Sequence, residues 1–545
     1  MEMTKKMKMA AVGAAAVAVV GGGVFAYTRL AGGDPKETVI QAFENVYTEG
    51  QTDPMEELFG LSEFAKAGVS ASQNSGLMLK LDSCSEPAVN TYAGSGLRID
   101  AKNDVENNKV SANMGIIYNG MDLVNLDLYY GDDTVMAAVP ELSPKVFTLD
   151  FGEGLEERLK NSPMLGSALE QSGVDASVMA EYMELLAEQA RQTQEGQAAS
   201  FDLKALMKRY REGCKAEDDF KAALTVEKGE KASFTIDGKE QACRGYDVTV
   251  SKEAMINFLR TSSDFFLQDE VLKKDFLKRL ELSVKLSQLA GAQMEGQDFP
   301  TAQEMQEQTY EEARTEIDGM IAFLDSSLND VSMTVYVDKE GCLASVKGTT
   351  SFNSTGSEAE PVQLQFGCEL KGGAYPTQNM SAQAVLENGA ASVQIEAVKE
   401  GAYDGKELTS GFELSIENQG EIAEKWDITL DSSYNSEGGG FDVQAAAAQD
   451  GMELLGFSAQ GVVDELEKGK NIHLTLDSLD VSAMGDTGNA VLSGEYYIRP
   501  LTEEVVPLEG DTMDVLAAGE EEWNSVLMEV LFSFISLSGQ MDTGN

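Results

Sequence analysis

Apolar residues in this 545-residue chain switch repeatedly between a helical period and strict alternation, and the switches divide it into segments. Asp34-Pro35-Lys36-Glu37 has the marks of a helix start: Asp34 as cap, Pro35 at the first helical position, Glu37 placed to close a capping box. Val39, Ile40, Phe43, Val46 and Tyr47 then recur at helical spacing. Asp53-Pro54-Met55-Glu56 repeats the signal ahead of Leu58, Leu61 and Ala65, so two short amphipathic helices are predicted. From Ser75 to Phe151 the period falls to two. Leu77, Leu79 and Leu81 alternate with polar residues, as do Leu97, Ile99 and Ala101, then Val110, Ala112, Met114 and Ile116. Turn residues such as Asn-Gly and Gly-Asp-Asp punctuate the runs, with a hairpin over residues 126–140. This predicts an antiparallel meander with one wet and one buried face.

Residues 153–330 read as mostly helical. Val178, Tyr182 and Leu185 make one stripe, Phe276, Leu277, Leu280 and Val284 another, and Tyr310, Ile317, Met320 and Leu324 the cleanest. A strand pair over residues 232–236 and 245–250 interrupts them. From Val331 to Ile498 alternation returns and predicts about ten strands. A closing helix from Glu520 is expected to bury Trp523, Val526, Leu527, Val530, Leu531, Phe534 and Ile535. The predicted fold class is α+β: strongly curved antiparallel β-sheets (meanders) with helices packed on one face. The segments are 1–33, 34–330 and 331–545.

The N-terminus changes the picture. Lys5, Lys6 and Lys8 precede an uncharged small-residue run from Met9 to Tyr27, close to the roughly 20 residues a spanning helix needs. The charge asymmetry predicts an N-terminus held in the cytoplasm and everything from about Asp34 outside it. We read the run as a single-pass membrane anchor, with cleavage near Ala26 as the alternative. Cys84 is the first cysteine after the run, so lipid attachment is not indicated.

Lys and Arg total 41 against 92 Asp and Glu, a formal net charge of −51. Such a surface repels nucleic acid and anionic headgroups and favours cations or a basic protein partner. Five scattered cysteines (Cys84, Cys214, Cys243, Cys342, Cys368) make no framework and no CxxC motif; one bridge, Cys243 to Cys342, is possible, but buried free thiols are the favoured reading.

Catalytic chemistry finds little support. The single histidine, His473, lies in the polar phase of an alternating run, and no Gly-x-Ser-x-Gly accompanies it. Trp426 and Trp523 both lie in apolar stripes, so they read as core rather than sugar platforms. The Asp477 to Asp486 stretch lacks the ligand spacing of an EF-hand. Glu217-Asp218-Asp219 and Glu520-Glu521-Glu522 read as helix N-terminal charge. Met179, Met183, Met207, Met305 and Met320 read as core filling rather than an adaptable groove. No catalytic residue, cofactor or metal ligand is assigned.

The basic head, the Ala/Gly-rich anchor, the Pro-capped first helix and meanders separated by helices resemble membrane-anchored surface proteins of Gram-positive bacteria. The order of elements is also similar to half-barrel carrier lipoproteins typified by LolA. That resemblance implies helices in the concave face of a curved sheet and an apolar groove for lipid. The chain departs from it by lacking the lipid-attachment cysteine and by its greater length. The function expected is a non-enzymatic envelope protein binding an apolar ligand, lipid or peptide in a sheet–helix groove. The alternatives are a structural or partner-binding module using the acidic surface and, third, a hydrolase with a carboxylate pair.

Overall fold

A computed structural model describes residues 34–46, 53–166, 169, 176–194, 203–291, 300–353, 361–389, 391–420, 423–483 and 488–542. Helices α1 (Pro35–Glu44), α2 (Pro54–Phe59) and α3 (Leu61–Ser70) open it. Their caps form as the sequence predicts. Asp34 accepts a hydrogen bond from the Lys36 N–H (3.1 Å), and Asp53 from those of Met55 and Glu56 (3.0 and 3.3 Å). The second expected helix is two, because Gly60, at φ 64°, ends α2 and starts α3 at an angle.

The first meander runs through β1 (Gln73–Cys84), β2 (Gly96–Asp104), β3 (Lys109–Tyr118), β4 (Met121–Gly131), β5 (Thr134–Ala138) and β6 (Lys145–Asp150). One turn of helix, α4 (Pro87–Asn90), sits between β1 and β2. Then come α5 (Leu155–Lys160), α6 (Ala176–Gln194), α7 (Leu203–Gly213) and α8 (Ala216–Ala223). The hairpin β7 (Thr225–Ile236) and β8 (Lys239–Val250) is longer than predicted. It leads into α9 (Lys252–Gln268), α10 (Glu270–Gly291) and α11 (Ala302–Ser327). Thr301 and Glu304 close a full capping box on α11.

The second meander has eleven strands. They are β9 (Val331–Val337), β10 (Leu343–Phe352), β11 (Val362–Gly372), β12 (Asn379–Asn388), β13 (Ala391–Tyr403) and β14 (Glu407–Gln419). They continue as β15 (Glu424–Asn435), β16 (Gly440–Gln449), β17 (Met452–Glu467), β18 (Asn471–Ala483) and β19 (Gly488–Pro500). A short β20 (Asp511–Asp514) and helix α12 (Glu520–Asp542) finish the chain. Asn119-Gly120, Asp237-Gly238 and Asp450-Gly451 all have positive φ at both positions. These two-residue hairpin turns match the twist of the strands they join.

All twenty strands belong to one curved sheet that does not close. Its order is β7 through β19 in sequence, then β1 through β6, then β20. Every neighbouring pair is antiparallel except β6 with β20. The join is β19 against β1, from Gln73↔Pro500 to Cys84↔Ala490. The sheet also runs unbroken past residue 330, where β8 pairs with β9 from Arg244↔Val337 to Val250↔Val331.

Register places the apolar residues of nearly every strand on one face, and the helices pack there. The largest core sets Val39, Phe220, Met255 and Leu324 of α1, α8, α9 and α11 on Val335 and Leu364. Leu58 and Phe59 of α2 cover Tyr434 and Val463 at one rim. Leu155 and Leu159 of α5 pack with Ala180 and Leu516, with Leu149 of β6 at the margin. Phe147 of β6 and Met513 of β20 receive Trp523 and Val526 of α12.

One expectation changes. Helix α12 does not bury its whole apolar set: Trp523, Val526 and Val530 pack, whereas Leu527, Leu531, Phe534 and Ile535 are exposed. Its receiving surface is too narrow for more than one stripe. All five cysteines are free, with Cys243 buried and Cys342 exposed, so the possible bridge does not form. Among the described residues no helix is long and apolar enough to cross a membrane. The anchor expected over residues 9–27 lies outside the described residues.

Candidate apolar binding face

Between the helices at its two ends, the apolar face of the sheet is open. Leu77 on β1, Leu97 and Ile99 on β2, and Met114 and Ile116 on β3 are exposed. So are Ile428 and Leu430 on β15, Leu455 and Phe457 on β17, and Val481 on β18. The register makes these one surface. Ile99 faces Leu77 and Met114, and Leu77 faces Tyr496 of β19. Exposed apolar residues gathered on one face in this way mark an interaction surface.

One row crosses β13 to β18 at right angles to the strands: Lys399, Phe412, Leu430, Ala445, Phe457 and Val481, each opposite the next. The row beside it holds Ala397, Leu414, Ile428, Ala447 and Leu455. Lys399 is the exception to the apolar character of the first row. Its Nζ lies 5.1 Å from the Tyr375 ring centroid, a cation–π contact, and among the described residues no carboxylate pairs with it. Ser410 and Ser432 stand in the row on its other side. The sequence signal for Lys399 was available: it continues the apolar phase Val393, Ile395, Ala397 on β13.

Around the β19–β1 seam the opposite face is polar and densely bonded, while Tyr129, Met136 and Val146 of β4 to β6 form a small core on it with Val505. Tyr497 of β19 lies across Gly76 of β1 and donates to Asp100 Oδ1 of β2 at 2.6 Å. A Cβ on Gly76 would stand 2.3 Å from the Tyr497 ring, so only glycine admits this crossing. Burial first, then the Asp100 carboxylate, pushes the Tyr497 phenol up to about 12. Arg98 holds Asp100 (3.3 Å) and Asp122 (3.0 Å), and Arg499 stacks over Tyr497. His473 does point to this polar face, as predicted, but it is largely enclosed. Its Nδ1 is 2.5 Å from Asp464, and its Nε2 is 3.6 Å from Glu495.

A cleft of about 900 Å³ opens on this side between the β7–β8 hairpin tip and β10 to β13. Its charges neutralise one another: Lys347 pairs with Glu369 (2.9 Å) and Lys371 with Glu400 (3.7 Å). Asp237 accepts from the Gly373 N–H. Burial pushes the thiols of Cys243 and Cys368 up, the reverse of what a nucleophilic thiol requires.

The other residues weighed in the sequence have structural places. Met179 and Met183 pack with Leu155 and Leu159, and Met320 packs against the largest core. Trp523 stacks on Phe147, and Trp426 lies half-buried on the apolar face of β15. Glu217 to Asp219 and Glu520 to Glu522 occupy first helical turns, as read. Asp480 accepts from Ser478, and the Asp477 to Asp486 stretch runs partly outside the described residues. Among the described residues no group of three or more His, Cys, Asp and Glu side chains is placed to hold a metal ion. The arrangement offers one extended apolar surface backed by a hydrogen-bonded polar one. No family model and no curated protein sequence matches the chain.

Proposed function

We propose that this protein binds an apolar ligand, a lipid or an apolar peptide segment, on the open face of its sheet. It does so as a non-catalytic envelope protein carried outside the cytoplasm by its N-terminal segment. The observation that supports this reading is the exposed row through Leu430, Phe457 and Val481, continued across the seam by Leu77, Ile99 and Met114. Water against that surface is costly, about 25 cal/mol for each Å² of apolar area left uncovered. A hydrocarbon ligand removes the cost without leaving polar groups unpaired.

The test is native mass spectrometry of protein purified without detergent, compared with the same sample denatured. An adduct of lipid-like mass that leaves on denaturation supports the reading. A bare chain that also takes up no apolar molecule when offered one sinks it. The acidic face would then be the place to look for a partner, and binding there should weaken steeply with added salt.

A further inference from the structure

From Lys399 we infer that the ligand of the apolar face is a long-chain carboxylate, a fatty acid, with its head at Lys399 and its chain along the row toward Val481. This deepens the apolar-ligand reading and rests on it. On β12 to β16 only two charged residues fall in the apolar phase by register, Lys399 and Glu424. Glu424 is the first residue of β15, about 20 Å along the strands from the Lys399 row. The carboxylates of these strands, among them Glu396, Glu413, Asp427, Asp431 and Asp442, fall in the opposite phase and leave from the other face.

Lys399 is therefore a cation without a carboxylate partner within an apolar row, with Met380 of β12 on one side of it and Phe412 of β14 on the other. Once an apolar ligand covers the row and excludes water, the ammonium is costly to leave without an anion. The row from Lys399 to Val481 crosses five strand spacings, about 24 Å. One leaflet of a bilayer, roughly half of a 30 Å hydrocarbon core, accommodates the acyl chains of membrane lipids in about 15 Å. The row is long enough for one such chain with its head at Lys399. Ser410 of β14 stands diagonally across from Lys399. A peptide fits less well, because its backbone N–H and C=O groups would find few partners along Phe412, Leu430 and Phe457.

The experiment is equilibrium binding of palmitate, hexadecanol and hexadecylamine to the full chain, wild type and variants, with circular dichroism as the folding control. Wild type should favour palmitate over hexadecanol at least tenfold. Lys399→Gln should abolish that preference while keeping hexadecanol binding, and Lys399→Arg should keep it. Lys399→Glu should invert it toward hexadecylamine. If wild type binds hexadecanol as well as palmitate, or Lys399→Gln retains the preference, the Lys399 assignment is overturned and the apolar-ligand reading stands. If wild type binds none of the three, both fall.

Discussion

Tyr497 shows how single side chains set the order of this sheet. Its ring can reach Asp100 only because Gly76, directly between them, has no Cβ. In the unfolded chain the phenol ionises near 10, whereas in the fold it does so at about 12. The fold therefore favours the neutral form. Its contribution to stability is complete below pH 10 and is lost as the pH rises toward 12. An ultraviolet titration should show several tyrosines ionising late, with the step near 12 belonging to Tyr497. Tyr497→Phe should remove that late step and cost about 1 kcal/mol in urea unfolding, because Arg98 still partners Asp100. Gly76→Ala should move the ring aside and return the phenol toward pH 10, and an unchanged late step in that variant would contradict the crossing. Lys399 was legible in the same way, by its phase in the alternation. Its meaning was not, because phase tells which face a residue joins and not whether that face is covered.

Helices and strands differ in how much of them could be read locally. Strand phase, turn pairs and the Pro-capped helix starts all appear where the sequence puts them, since each depends on neighbours within a few residues. Helix α12 shows the limit. Its apolar residues cover more of its circumference than the narrow surface of β6 and β20 can receive, so Trp523, Val526 and Val530 pack and the rest do not. Leu531→Glu and Phe534→Glu should accordingly shift stability by no more than about 0.5 kcal/mol. Val526→Ala should cost about 2 kcal/mol through lost burial and the cavity left behind. Thermal melts of the three variants decide it. Equal losses in all three would mean that the outer stripe is packed as well.

At the scale of the whole molecule, the feature that no local pattern announces is the seam between β19 and β1. Either edge of β1 is an equivalent row of backbone donors and acceptors, and nothing near it in sequence says that its second partner lies at the far end of the chain. The seam makes one sheet of two meanders. Among the described residues only β7 and β20 are left as edges, β7 carrying Glu227, Lys228, Glu230 and Lys231 around a register shift and β20 only four residues long. Both are forms that discourage edge-to-edge pairing with another chain. Hydrogen exchange should follow this order. Amides of β1 and β19 should open with the most stable part of the molecule, and those of β20 and the outer edge of β7 should exchange first. If the seam opens as readily as the edges, the two meanders are separate cooperative units.

The seam also bears on how the protein is made. The backbone of Asn489 donates to Ser85 Oγ, a partner 404 positions away. A ribosome or export channel delivers β1 long before it delivers β19. Through that interval β1 offers a free backbone edge and a row of leucines to whatever is nearby. Newborn chains are thus most exposed to misassembly in their first sixth, and a helper that shields β1 until the last long strand arrives would act where the fold is slowest to protect itself.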